Sequence, residues 1–150
     1  MGWGAVGLGA FAGELWAGVG DNAIGVVSDE RTRELVMSLG AKGVIKRKKF
    51  NCWGAMPQVG TPQYDAWTKE ARKFGKAIWG ITGKGNDVDM VFEHPGESTF
   101  PVSCLVVKRG GMGVFVAGTS GYNITFHARY VWMRPKRIYG SRCANLLQGG

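Results

Sequence analysis

Two stretches decide how this chain reads. The first is Trp3-Gly4-Ala5-Val6-Gly7-Leu8-Gly9, running into the short helical segment Ala10–Trp16; the second is the apolar run Asn22-Ala23-Ile24-Gly25-Val26-Val27, ending at Ser28. The glycine turn leaves little side-chain bulk and frees N–H groups at a helix start, which is what a phosphate-binding turn requires. Its other reading is close packing of a helix on a sheet, and with 25 glycines in 150 residues the motif alone does not choose. The second stretch reads as a strand. It leads into a helix over Asp29–Leu39, with Leu35, Val36 and Leu39 on one face and Gly40 as its terminator.

Working outward, Val44-Ile45 reads as a short strand entering the basic stretch Lys46–Lys49, and Phe50–Thr61 as a loop. Pro62 opens a helix with Trp67, Ala71, Phe74 and Ile78 on one stripe and Lys69, Arg72, Lys73 and Lys76 on another. Strands are expected at Val88–Phe92, Met112–Ala117 and Arg137–Tyr139, and a helix at Glu97–Val107. Alternating strands and helices predict an α/β fold, a Rossmann-type doubly wound parallel sheet in the order 3-2-1-4-5-6. Its first strand is expected to be incomplete, because only Met1-Gly2-Trp3 precede the turn. Residues 1–150 are therefore read as one cofactor-binding domain of a longer polypeptide.

Composition narrows the classes. Six Trp, seven Phe and four Tyr supply the apolar area that a disordered chain lacks. Nineteen Lys and Arg against eleven Asp and Glu give a net charge of +8, which suits an anionic partner. No recognised nucleic-acid motif accompanies that charge, so nucleic acid is not expected. No apolar run approaches a membrane span and no secretory leader precedes the domain, so a cytoplasmic protein with no membrane partner is expected. Cys52, Cys104 and Cys143 form no C-x-x-C pair and only two histidines are present, so no metal site is expected.

In folds of this type a residue about 20 positions beyond the glycine turn meets the adenosine ribose. Ser28-Asp29-Glu30-Arg31-Thr32-Arg33 occupies that place. An acid there accepts from a free 2′-hydroxyl, whereas Ser28 with Arg31 or Arg33 suits a 2′-phosphate and thus NADPH. Asp29 then has another role available, at the start of the next helix. His94 follows a strand where such sheets place ligand loops, and reads as a cofactor contact rather than a proton donor.

From Val91 onward the sequence carries a family signature. VFEHPGESTF (91–100), VVKRGGMGVFVAGTSGYN (106–123), RYVWM (129–133) and KRIYGS (136–141) resemble the crotonyl-CoA carboxylase/reductases of the medium-chain dehydrogenase/reductase superfamily. NAIGVVSDE, MSLGAKGVI, the FNCWG loop and ARKFGKAIWGITGKG extend the resemblance along nearly the whole chain. The resemblance implies an NADPH-binding domain of an enzyme that reduces an α,β-unsaturated acyl-CoA and adds CO2 to the resulting enolate, giving an alkylmalonyl-CoA. It implies that Gly4, Ala5, Val6, Gly7, Leu8 and Gly9 cradle the pyrophosphate, that Ser28 with Arg31 and Arg33 selects NADPH, and that His94, Gly118, Thr119 and Ser120 lie near the nicotinamide half. It further implies contacts to CoA for Arg109, Arg129 and Tyr130, a subunit-facing role around Arg72-Lys73 with Lys73 near CoA, and a homo-oligomer, dimer or tetramer.

Departures from the family pattern accompany these matches. The glycine turn is one residue shorter than the family's, and Thr32 replaces a common lysine. Ser141-Arg142-Cys143 stands where the family has Ser-His-Phe, whose histidine helps hold CO2 through a water. Arg142 is thus the candidate catalytic position, and a plain NADPH-dependent enoyl-thioester or quinone reductase, or a non-catalytic cofactor-binding or subunit-interaction module, are the alternative readings.

Overall fold

A computed structural model of the chain describes residues 22–141. The expectations at the glycine turn Gly4–Gly9, at the helix Ala10–Trp16 and at Arg142 lie outside them. In chain order the elements are β1 (Ile24–Val27), α1 (Glu30–Ser38), β2 (Gly43–Lys46), α2 (Pro62–Thr82), β3 (Val88–Glu93), α3 (Phe100–Val106), β4 (Val107–Phe115), α4 (Arg129–Trp132) and β5 (Arg137–Gly140), with a 3-10 turn at Arg47–Lys49.

Among the described residues every strand pairing is parallel. β1 lies beside β2 in the register Val27↔Lys46, while β3, β4 and β5 form a second ladder in that order. Among the described residues these two ladders match the 3-2 and 4-5-6 parts of the expected order. The fold is α/β with Rossmann-type strand neighbours.

α2 organises the core because its apolar residues recur at helical spacing. Trp67, Ala71, Phe74 and Ile78 are all buried, packed with Val26 and Ile45 on one side and Val91, Val102, Val106 and Val107 on the other. Phe50 and Trp53 meet Phe74 edge-on, at ring separations of 5.4 and 5.2 Å. Thr61 caps the helix by accepting from the Tyr64 N–H at 3.2 Å, and Gly83, with φ of 101°, ends it.

Three expectations change. α3 starts at Phe100 rather than Glu97, because Pro101 lacks an N–H and fits only the first helical turn. Gly96, with φ of 81°, turns the chain instead and its carbonyl accepts from the Phe100 N–H at 2.8 Å. β4 begins at Val107 rather than Met112, since Val88 pairs with Val107 and Met90 with Met112, leaving Lys108–Gly111 as a bulge. Gly111 is required there: a Cβ would sit 2.6 Å from the Asp89 carbonyl oxygen. Finally, α1 carries no buried residue; Leu35 is exposed, and Val36 packs against the open side of Gly25.

Candidate cofactor site

In parallel sheets the carboxyl ends of the strands hold the ligand loops. At the end of β1, Ser28 is half-buried and Asp29 caps α1. Both Asp29 oxygens are occupied: Oδ1 accepts from the Thr32 N–H at 2.8 Å and Oδ2 from the Thr32 hydroxyl at 2.9 Å. Those bonds, the backbone one foremost, hold the Asp29 carboxyl below its usual range. Arg31 is exposed, whereas Arg33 is engaged by Glu30 at 2.9 Å. Lys46, brought alongside by the β1–β2 register, closes on the other Glu30 oxygen. Glu30, two residues beyond Ser28, thus joins Arg33 of α1 to Lys46 at the end of β2.

The ends of β3 and β4 meet in a second cluster. The Ser120 N–H donates to the Pro95 carbonyl at 2.9 Å and the Ser120 hydroxyl to the same carbonyl at 2.7 Å, while the Ser98 N–H donates to the Ser120 hydroxyl at 3.0 Å. The Thr119 hydroxyl lies 3.5 Å from His94 Nδ1. Gly96 and Gly118 allow this contact, since a Cβ on Gly96 would lie 3.1 Å from the Gly118 Cα. His94, Gly118, Thr119 and Ser120 are thus brought together on one loop pair. Beneath it Glu93 is fully buried, accepting from the Thr99 hydroxyl at 2.6 Å and from the Ser103 hydroxyl.

The residues expected at CoA separate into two places. Tyr130 reaches the start of α2, its hydroxyl 3.1 Å from that of Tyr64, with the His127 ring 5.2 Å away. Burial, and then the Tyr64 contact, push its phenol up to about 12, with Arg72 opposing. Arg129 is exposed beside it, and Lys73 is exposed and paired with Glu70. Arg109 lies instead in the β4 bulge, at the amino end of the sheet, where the Gly110 N–H bonds the Pro135 carbonyl.

Lys46 and Glu93 escaped the sequence reading. Lys46 stands in a visible basic run at a strand end, and its place beside Ser28 follows only from the pairing of β2 with β1. The hydroxyl partners of Glu93 recur at Thr99 and Ser103, one turn apart on a helix start, a signal that needs the β3–α3 packing to be read.

Residues 5–148 match the zinc-binding dehydrogenase family. The chain belongs to that family. Zinc-binding dehydrogenases take their name from a metal that the described residues do not suit: no group of three or more His, Cys, Asp or Glu among them can hold an ion. Cys52 and Cys104 are buried, and burial raises both thiols to about 12. Within the family, the chain is 65% identical over 147 residues to the crotonyl-CoA carboxylase/reductase of Cereibacter sphaeroides, covering 97% of this chain and 34% of that protein. A solved crotonyl-CoA carboxylase/reductase superposes with a TM-score of 0.96 at 68% identity, over 99% of this chain and 35% of that one. The crotonyl-CoA carboxylase/reductase AntE in complex with NADP gives 0.92 at 39%, over 97% and 36%. The chain spans about a third of the length of the curated relatives it matches. No helix among the described residues is long and apolar enough to cross a membrane.

Proposed function

We propose that the chain is the NADPH-binding domain of a reductive carboxylase that acts on an α,β-unsaturated acyl-CoA of the crotonyl-CoA type and adds CO2. The 65% identity to a crotonyl-CoA carboxylase/reductase supports the reaction class. The observation that carries the cofactor reading is the gathering of Ser28, Arg31, Arg33 and Lys46 at the ends of β1 and β2, with Asp29 withdrawn into the α1 cap. A 2′-phosphate needs cations and small donors and is repelled by a free acid; this set fits it.

NADPH supplies the hydride when bound. Ser28 and Arg31 hold its 2′-phosphate, the Gly4–Gly9 turn holds the pyrophosphate, and the loop pair at His94, Gly118, Thr119 and Ser120 orients the nicotinamide half. Arg129 and Tyr130 meet the CoA portion of the substrate, with the Tyr130 hydroxyl protonated and able to donate. Arg109 meets the CoA portion as well, and the assembly is a homo-oligomer. The protein is read as cytoplasmic.

Arg142 favours a second reading, a reductase that does not carboxylate. Guanidinium offers only donors and a fixed charge where an imidazole can also accept from a water.

Calorimetric titration of the chain with NADPH and NADH tests the cofactor. Tighter binding of NADPH, weakened about tenfold or more by Arg31→Ala with NADH within about twofold, is expected; equal loss for both nucleotides rejects the assignment. The product ratio of the full polypeptide under saturating bicarbonate separates the two reactions: alkylmalonyl-CoA supports the first, saturated acyl-CoA alone the second.

A further inference from the structure

Glu30 stands out because two cations from different elements converge on it. Arg33 comes from the same helix one turn on and Lys46 from the end of β2, each meeting a different carboxylate oxygen. The three side chains are each about half exposed, so a solute can reach them. Lys46, and after it Arg33, hold the Glu30 carboxyl below its usual range. Exposed ion pairs add little to stability, which leaves this one without a strong structural purpose. Its geometry is that of an anion held between two cations, and a phosphate dianion offers more charge and more oxygens to the same pair.

We infer that Glu30 is an internal competitor for the 2′-phosphate: it holds Arg33 and Lys46 together beside Ser28 in the cofactor-free protein, and the phosphate takes both cations from it. This rests on the NADPH reading above. The competitor lowers NADPH affinity while pre-assembling the cations, and it leaves NADH, which lacks the phosphate, almost untouched. Asp29 does not share the role, because both its oxygens are held by Thr32. Glu30 is then a specificity-determining residue, and Lys46 a ligand that the β1–β2 register contributes.

The test is a binding cycle on the chain with NADPH, NADH and 2′,5′-ADP at low salt. Glu30→Gln is expected to tighten NADPH and 2′,5′-ADP by about threefold to tenfold and to move NADH by less than about twofold. Lys46→Gln is expected to weaken NADPH, and the gain from Glu30→Gln is expected to shrink in the Lys46→Gln background. The gain also falls as salt rises toward about 0.5 M. NADPH binding that is unchanged or weaker in Glu30→Gln overturns the inference while leaving the cofactor reading intact. A gain equal for NADH, or one that persists in full without Lys46, overturns it too. If neither the parent chain nor the variant binds NADPH, the cofactor reading falls and the inference with it.

Discussion

Both carboxylate oxygens of Asp29 are bound by Thr32, one by its N–H at 2.8 Å and the other by its hydroxyl at 2.9 Å. The acid nearest the expected ribose position is thereby a helix cap. Asp29→Ala is expected to lower the unfolding midpoint and Asp29→Asn to restore most of it, with the NADPH-to-NADH preference unchanged in both. A switch toward NADH would show that Asp29 reads the ribose. The lowered folded pKa fixes the sign of its pH dependence: its contribution is present above the ordinary value of 3.8 and is lost as pH falls through the folded value. Thermal melts of parent and Asp29→Ala should therefore converge in acid.

Glu93 is fully buried and receives both the Thr99 and Ser103 hydroxyls. Glu93→Ala strands the buried Thr99 hydroxyl, leaves the Ser103 hydroxyl only the Thr99 carbonyl at 3.3 Å and opens a cavity, so a loss of roughly 3 kcal/mol in denaturant unfolding is expected. A loss below about 1 kcal/mol would show that Thr99 and Ser103 find other partners.

Gly96 has φ of 81° and no space for a side chain, a Cβ falling 3.1 Å from the Gly118 Cα and 3.2 Å from the Gly121 carbonyl oxygen. Gly96→Ala is expected to cost about 1–3 kcal/mol of stability from backbone strain alone. It should also weaken NADPH and NADH alike, because it displaces the loops expected at the nicotinamide and not those at the 2′-phosphate. Selective loss of NADPH would place this loop pair elsewhere.

Lys136 donates to the Cys104 and Leu105 carbonyls at the end of α3, where burial, with Arg134 adding to it, lowers its pKa from 10.5 to about 8. The folded state therefore binds fewer protons than the unfolded state between pH 8 and 10.5. In that window this group makes stability rise with pH, the penalty for its charge being complete below about 8. The stability of the parent chain relative to Lys136→Met should climb between about pH 7.5 and 10. A flat difference would mean that the ammonium stays fully solvated.

Elements with a strong period were legible from residues alone. α2 carries Trp67, Ala71, Phe74 and Ile78 at helical spacing, and its Thr61–Pro62 start and Gly83 end are marked by residue type. α4 could not be read, because four residues set no period and its position depends on Tyr130 meeting Tyr64. The β4 bulge was hidden for another reason: Gly110-Gly111 announces a turn, but the Val88–Val107 pairing that makes it part of a strand is a contact between distant segments. At the site, Ser28, Arg31 and Arg33 were visible by position, and the withdrawal of Asp29 into a cap was one of two open roles. The capture of Arg33 by Glu30 and the arrival of Lys46 required the sheet register.

Burial of the two described cysteines bears on chemical self-protection. An unsaturated acyl thioester is a soft electrophile, and the group it alkylates fastest in a protein is a thiolate. Cys52 and Cys104 are enclosed and burial raises their thiols to about 12, which keeps both protonated at neutral pH. For the reductive carboxylase proposed above, enclosure of these two sulfurs keeps them protonated and out of the electrophile's reach.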